Sequence, residues 1–304
     1  MILWFLTCAL FITIGCDSGS EQNRIGGLSD QKRVSYAGIG GSVDVGSDDS
    51  DDSSWYVVEQ FYNHTQSMLQ EVMEKERENM EEASRLMAES VREGRLIHVF
   101  GTGGHNIMAG MEIFKRAGGL VPINPLFPPG LSVADARPAT ERLMGYARIV
   151  LGHYNVQEGD VILIINCNGI NPVTIESALE ARKMGLKVIV VTSSQFSRGI
   201  PPGTLSRHPS NKDLYDLGDI AIDAYVPLGD AVVDVDNFDQ KVSSISTMAN
   251  TFIVQALTAM TVDKLVKMGE EPEVWASANV EGGTENNRQF SEKYRGRIQH
   301  LAFY

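Results

Sequence analysis

Residues 161–192 read VILIINCNGINPVTIESALEARKMGLKVIVVT, and the architecture turns on them. The run VILII (161–165) is apolar without interruption, as a strand buried on both faces requires. KVIVVT (187–192) is a second run of the same kind. Between them, residues 172–184 read as a helix, with Pro172 placed for a first turn where its missing N–H costs nothing. Strand, helix and strand in this order predict parallel neighbours in one layered sheet.

The same alternation extends outward in both directions. LIHVF (96–100) is a short strand, followed by GTGGHN (101–106) and a helix over 107–115 that Gly118 and Gly119 end. Residues 120–123 are strand-like, and the prolines after them break regular structure. Helices are expected over 139–153 and 243–268, and strands over 219–223 and 226–235. Residues 193–211 form a long polar loop, and the chain is irregular from 270 onward. Residues 55–93 carry apolar side chains at helical spacing, which predicts a long N-terminal amphipathic helix whose methionines pack into the core. The fold class is therefore α/β with a mostly parallel sheet. In such sheets a ligand sits beyond the carboxyl ends of the strands, where strand order switches. Function is to be sought in the loops after Phe100, Ile165 and Thr192.

The chain has 304 residues, 43% of them hydrophobic, and a net charge of −13. That composition excludes wholesale disorder. It also argues against a nucleic-acid partner, because no basic surplus exists to neutralise phosphates. A small phosphorylated ligand remains compatible, since backbone N–H groups and hydroxyls can hold a phosphate inside an acidic protein. Cys8, Cys16 and Cys167 make neither a disulfide framework nor a metal knuckle, and no metal or cofactor is expected.

Residues 1–16 are set apart from the rest. The apolar run 2–15 is short for a spanning helix, which needs about 20 residues, and fits the hydrophobic region of a signal peptide. Small residues before Cys16 resemble a bacterial lipobox, in which that cysteine is lipidated and tethers the protein to a membrane. Two features depart from that pattern: no Lys or Arg precedes the run, and Thr13 stands where leucine is usual. A plain anchor or a mis-assigned start are the other readings. Localisation depends on the leader: a membrane-anchored lipoprotein if it is real, a cytoplasmic protein otherwise. Residues 17–54 are rich in Gly, Ser and Asp, end in SDDSDDSS (47–54), and read as an acidic linker. The expected organisation is a leader (1–16), a linker (17–54) and one folded domain (55–304).

Each of the three loops has a structural and a chemical reading. Gly101-Thr102-Gly103-Gly104-His105-Asn106 joins a strand to a helix, so its glycines and the helix N-terminus suit close approach of an anion. It has neither the Walker nor the dinucleotide glycine spacing, and a tight turn alone explains it as well. Asn166-Cys167-Asn168-Gly169-Ile170-Asn171 clusters three amides that can donate or accept, or serve as a capping turn with Asn171 as the cap. Cys167 reads as a buried inert thiol rather than a nucleophile. Ser193, Ser194 and Ser197, leading to Ser206-Arg207-His208, offer hydroxyls for a sugar or phosphate and a histidine that can titrate near neutrality.

Taken together, the loops resemble the SIS (sugar isomerase) domain. The match extends through HVFGTG (98–103), FKRAGGLVPINP (114–125), EGDVILI (158–164), ALEARKMGLKVIVVTS (178–193), SRHPS (206–210), LYDLGDIAID (214–223), GDAVVDVD (229–236), DQKV (239–242), SAN (277–279) and EKYRGRI (292–298). It is similar to an uncharacterised bacterial subgroup related in motif to N-acetylmuramic acid 6-phosphate etherases, and it spans residues 55–304. The resemblance implies a doubly wound αβα sandwich with a five-stranded parallel sheet. It implies a homodimer or tetramer, active sites near subunit interfaces, and a phosphate cradle of Ser/Thr hydroxyls and backbone amides.

Two departures from the subgroup bear on the ligand. Its second loop is similar to Ser-Asn-Ser-Gly-Arg-Asn, whereas residues 166–171 here lack both serines and the arginine. Thr102 stands where the first loop usually has serine. The changes point to altered specificity or to a ligand without phosphate.

Catalysis in the family moves a proton beside the sugar carbonyl with a carboxylate. The resemblance points to Glu112 in the helix after the first loop and to Glu285 in EGGTEN (281–286) for that role. His105 and His208 become ring-opening or orienting groups. The expected ligand-binding set is Thr102, Gly103, His105, Asn106, Asn166, Asn168, Gly169, Asn171, Ser193 and Ser194. The partner is thus a small carbohydrate derivative, a phosphosugar or amino sugar. One reading is an isomerase or etherase-like lyase. Another is a non-catalytic sugar-sensing module with an altered phosphate loop. A third, an anchored protein acting on cell-wall sugars, sits poorly with a substrate class found mostly in the cytosol.

Overall fold

The computed structural model describes residues 54–132 and 137–301. The expected leader with Cys16, and the expected linker up to residue 53, lie outside the described residues. The centre is a sheet of β1 (Ile97–Gly101), β2 (Ile123–Pro125), β3 (Val161–Ile165), β4 (Lys187–Thr192) and β5 (Ile220–Asp223). Its spatial order is β2-β1-β3-β4-β5, and every pairing is parallel. This is the five-stranded αβα arrangement that the family resemblance implies.

Both faces are covered, and the side chains alternate between them with the period of two that a strand imposes. Val161, Leu163 and Ile165 of β3, with Ile189 and Val191 of β4, enter one core. Ile162 and Ile164, with Val188 and Val190, enter the other. The first core is closed by α1 (Trp55–Lys75), α2 (Arg77–Arg92), α3 (Ile107–Ile113) and α8 (Ser246–Lys267). The second is closed by α5 (Tyr146–His153), α6 (Pro172–Lys183) and the 3-10 turn Leu214–Leu217. Met68, Met80 and Met87 lie in the first core, where unbranched thioethers fill irregular gaps. A third, small cluster around Trp275, Tyr294 and Leu301 gathers the C-terminal segments. No described helix is long and apolar enough to cross a membrane.

Several elements differ from the sequence-based expectations. The pattern over 55–93 is two helices, broken at Glu76, whose buried carboxylate accepts from Tyr225 Oη (2.7 Å) and Asn79 Nδ2 (2.8 Å). The helix expected over 139–153 is α4 (Pro138–Glu141) and α5, with residues 142–145 between them; Gly145, at a left-handed φ of 83°, stands just before α5. The long polar loop contains α7 (Ser194–Gly199). Residues 226–235 supply β6 (Ala231–Val235), which pairs antiparallel with an unexpected β7 (Phe238–Ser244). The tail expected to be irregular contains α9 (Gly283–Tyr294). β7 escapes a hydrophobic-pattern reading because nearly all of its side chains face water, and α9 because its sequence is almost wholly polar outside Phe290 and Tyr294.

A buried polar triad ties β1, β2 and the turn before β3 together. Asn124 Nδ2 donates to His98 Nδ1 (3.1 Å), which leaves His98 Nε2–H to donate to Asp160 Oδ2 (2.9 Å). Burial pushes the Asp160 carboxyl up. The hydrogen bonds from His98 Nε2–H and the Gln157 amide, with the charge of Arg95, outweigh it and hold the carboxyl below its ordinary value. A depressed folded value means the contribution to stability is present above the unfolded carboxylate range and is lost as pH falls through the folded value. Asp160→Asn should therefore cost about 1–3 kcal/mol in urea unfolding at pH 7, and much less near pH 3. An equal cost at both pH values would contradict this account of the triad.

Candidate functional site

Strand order reverses between β1 and β3, because the chain leaves β1 toward β2 on one side and returns to β3 on the other. The crevice beyond their carboxyl ends is formed by the loops 102–106 and 166–171. The Thr102 amide donates to Ile165 O (3.0 Å), so the two loops start side by side.

Most of the side chains expected to meet a ligand are already hydrogen-bonded within the protein. Asn166, 1% exposed, receives the amides of Asn168 (3.1 Å) and Gly169 (3.0 Å) on Oδ1 and donates Nδ2 to Thr102 O. Thr102 Oγ1 is bonded to Thr174 Oγ1 at 2.7 Å. Asn106 Oδ1 accepts from the Cys167 amide (3.0 Å) and from Asn250 Nδ2 (3.2 Å). Asn168 Oδ1 accepts from the Ile170 amide at 3.2 Å. Ser193 Oγ donates to Val226 O at 2.7 Å, and the Ser194 amide faces the Asp223 carboxylate at 3.3 Å.

Asn171 occupies the N-cap position of α6 without a side-chain bond to the helix; its Nδ2 donates to Ser206 O (3.1 Å) instead. Its Oδ1 and Thr192 Oγ1 are buried without a hydrogen-bond partner. Burial, then the nearby Asp230 carboxylate, push the Cys167 thiol up to about 12, so it stays protonated at neutral pH. Among the described residues no group of three or more His, Cys, Asp or Glu is arranged to hold a metal ion.

The expected acid–base residues separate. His208 joins the cluster: its amide donates to Ile170 O (2.7 Å), and its Nδ1 accepts from the Ser210 amide (3.1 Å). Burial lowers its pKa, and the accepting Nδ1 leaves the proton of the neutral imidazole on Nε2. His105 is exposed on the first loop. Glu112 pairs with Arg116 Nε (3.3 Å) and accepts from Gln255 Nε2 of α8 (3.0 Å). Glu285 is exposed in the first turn of α9.

The carboxyl that does meet the glycine loop is Glu141, at the end of α4. A Cβ on Gly103 would lie 2.8 Å from its Oε1, and Gly104 donates its amide to it. Burial raises the Glu141 pKa, and the Gly104 amide only partly offsets that. In the sequence Glu141 is the one acid of the stretch expected to be helical (139–153), and nothing local points it to the glycine loop.

The second loop depends on Gly169. Its φ is +61°, and an added Cβ would overlap Thr192 Oγ1 and meet Leu214 Cβ at 3.3 Å. Gly169→Ala should lower stability by about 2–4 kcal/mol in urea unfolding. A loss under about 0.5 kcal/mol would show that this turn is not closed against β4.

Comparison with known proteins brings out relatives of the whole domain. A family profile described as "SIS domain" matches residues 60–193. A UPF0309 protein of Shouchella clausii is 33% identical over 249 residues, covering 80% of this chain and 99% of that relative. A UPF0309 protein of Thermoanaerobacter pseudethanolicus is 36% identical over 230 residues, covering 73% and 91% respectively. Among solved structures, a phosphoheptose isomerase from Neisseria gonorrhoeae aligns with a TM-score of 0.44 at 16% identity, over 71% of this chain and 100% of that one.

Proposed function

The chain belongs to the UPF0309 family of SIS-domain proteins, and on that premise we propose that it binds a carbohydrate derivative in the crevice between the carboxyl ends of β1 and β3. The ligand class is a phosphosugar or an amino sugar. The observation that carries this reading is Glu141. Its carboxylate rests on Gly103 and takes the Gly104 amide, so the loop after β1 already holds an anionic oxygen, supplied by the protein itself. An incoming phosphate or carboxylate uses the same amide by displacing Glu141. Asn168, Asn171 and His208 flank the entry from the second and third loops. Asn166 and Thr102 support the loop backbone instead of touching the ligand.

The raised pKa of Glu141 favours a second, enzymatic reading, because a half-buried carboxyl poised above its ordinary value suits proton transfer at a sugar carbon. In that reading Glu141 is the acid–base group, and the reaction is an isomerisation or an etherase-like elimination. Glu112, held by Arg116 and Gln255, then serves packing between α3 and α8.

Thermal unfolding of the full chain with hexose 6-phosphates, amino-sugar 6-phosphates and the corresponding free sugars tests the first reading. At a hundredfold excess over Kd, a binding member should raise the midpoint by roughly 5–10 °C. No shift from any member would refute sugar binding, and shifts from free sugars alone would refute the phosphosugar class. Ionised Glu141 competes with an anionic ligand, so affinity should rise as pH falls through its raised pKa. Glu141→Gln should tighten binding about tenfold at pH 7.5, by removing roughly 1.4 kcal/mol of repulsion, and should flatten that pH dependence. If turnover is found, Glu141→Gln should abolish it while binding persists. Unchanged turnover would remove Glu141 as the acid–base group.

A further inference from the structure

Three of the segments that carry the family resemblance, 114–125, 277–279 and 292–298, have no part in the three loops. They meet around a cavity of about 780 Å³, within the size range of small-ligand sites. One wall is the turn after α3, and another is the segment 276–279. The third is one face of α9 and its end, where Thr284, Arg288, Ser291 and Arg295 recur at helical spacing. None of the lining residues comes from 102–106, 166–171 or 192–194. The opposite side of α9 turns Phe290 edge-on to Trp275, with ring centroids 5.9 Å apart.

The electrostatics of this cavity are opposite to those of the chain. Its lining holds four cations, Lys115, Arg116, Arg288 and Arg295, and one acid, Glu292; with the Glu112 carboxylate paired to Arg116, the local balance is +2 in a chain of net charge −13. Concave walls of one charge sign concentrate counter-ions. Guanidinium groups match the paired oxygens of carboxylate and phosphate. Hydroxyls and amides between the cations suit a polar body attached to such a group.

The frame is set without a ligand. The Asn287 side chain donates to Ala276 O and accepts from the Ala276 amide, both at 2.9 Å. Trp275, 1% exposed, donates its amide to Gly119 O (2.9 Å) and accepts from the Gly118 amide (2.8 Å). Such preorganisation removes much of the ordering cost of binding.

We propose that this cavity is a second ligand site, separate from the crevice at the sheet, that takes the oxyanion of a small polar molecule. Phosphate and carboxylate share the chemistry that its cations recognise. The site does not depend on the sugar reading, and variants in its own lining separate the two.

The test is isothermal titration of the full chain with inorganic phosphate and, separately, with tricarballylate at low ionic strength. Saturable binding of at least one anion is expected. Arg288→Gln and Lys115→Gln should each weaken it tenfold or more, and Arg288→Lys should keep it within about threefold. Arg288 is exposed, so the fold should survive its substitution. Lys183→Gln makes the same charge change on an exposed face of α6 and should leave affinity within about twofold. Binding of neither anion would overturn the proposal. So would binding indifferent to Arg288→Gln and Lys115→Gln, which would put the anion elsewhere, including the sheet crevice. An equal loss in Lys183→Gln would overturn it as well, by reducing the effect to net charge.

Discussion

The side chain of Asn166 is the interaction on which the site depends. It stands at the end of β3, where the strand order reverses, and uses both ends of its amide. Oδ1 receives the amides of Asn168 and Gly169, and Nδ2 donates to the carbonyl of Thr102 across the crevice. One planar group thus fixes the turn of the second loop and its distance from the first. Asn106 does the reciprocal work from the first loop, accepting from the Cys167 amide and from Asn250 on α8. A buried amide left without a partner costs about 1–3 kcal/mol, so this exchange of side-chain for ligand contacts keeps the free protein's loops ordered. The same bonds limit what the loops still offer to a ligand. A serine hydroxyl, expected at this position from the family resemblance, is smaller and can turn outward; an amide bonded at both ends cannot do so without breaking the turn.

Charge is arranged on the same principle. Glu141 sits on the glycine loop, and Asp223 faces the Ser194 amide. In both places a protein carboxylate takes an amide that an anionic ligand would want. The two carboxylates differ in how firmly they are held. Asp223 also accepts the Tyr225 amide at 2.9 Å and terminates β5, so it is bound into the framework. Glu141 ends a four-residue helix, and burial makes its charge unfavourable, which leaves it the more easily displaced or protonated. A cationic surplus gathers elsewhere, around α9, on walls built by different segments.

The sheet was legible because its strands obey one simple constraint. VILII and KVIVVT are buried on both faces, so no polar residue interrupts them, and their place in the chain implies parallel pairing. The strand-to-helix loops after Phe100 and Ile165 were legible for the same reason, whereas the switch in strand order between β1 and β3 comes from the sheet itself. What escaped were features set by solvent or by a single contact. α9 is polar on nearly every turn, and β7 is almost wholly exposed, so neither carries a hydrophobic period. Glu76, where the helical pattern breaks, is bonded by Tyr225, 149 residues away. Glu112 is held by Gln255 of α8, far along the chain, and Glu141 meets Gly103 of the first loop. Such pairings of distant residues have no local signature.

Hydrogen exchange at the Asn168 and Gly169 amides tests the closed-loop account most directly. With Asn166 accepting both, they should exchange at least about a hundredfold more slowly than in an unstructured peptide. Asn166→Ala should remove most of that protection while the amides of β3 and β4 keep theirs. Fast exchange at Asn168 and Gly169 in the unaltered protein, or unchanged protection after Asn166→Ala, would contradict the account.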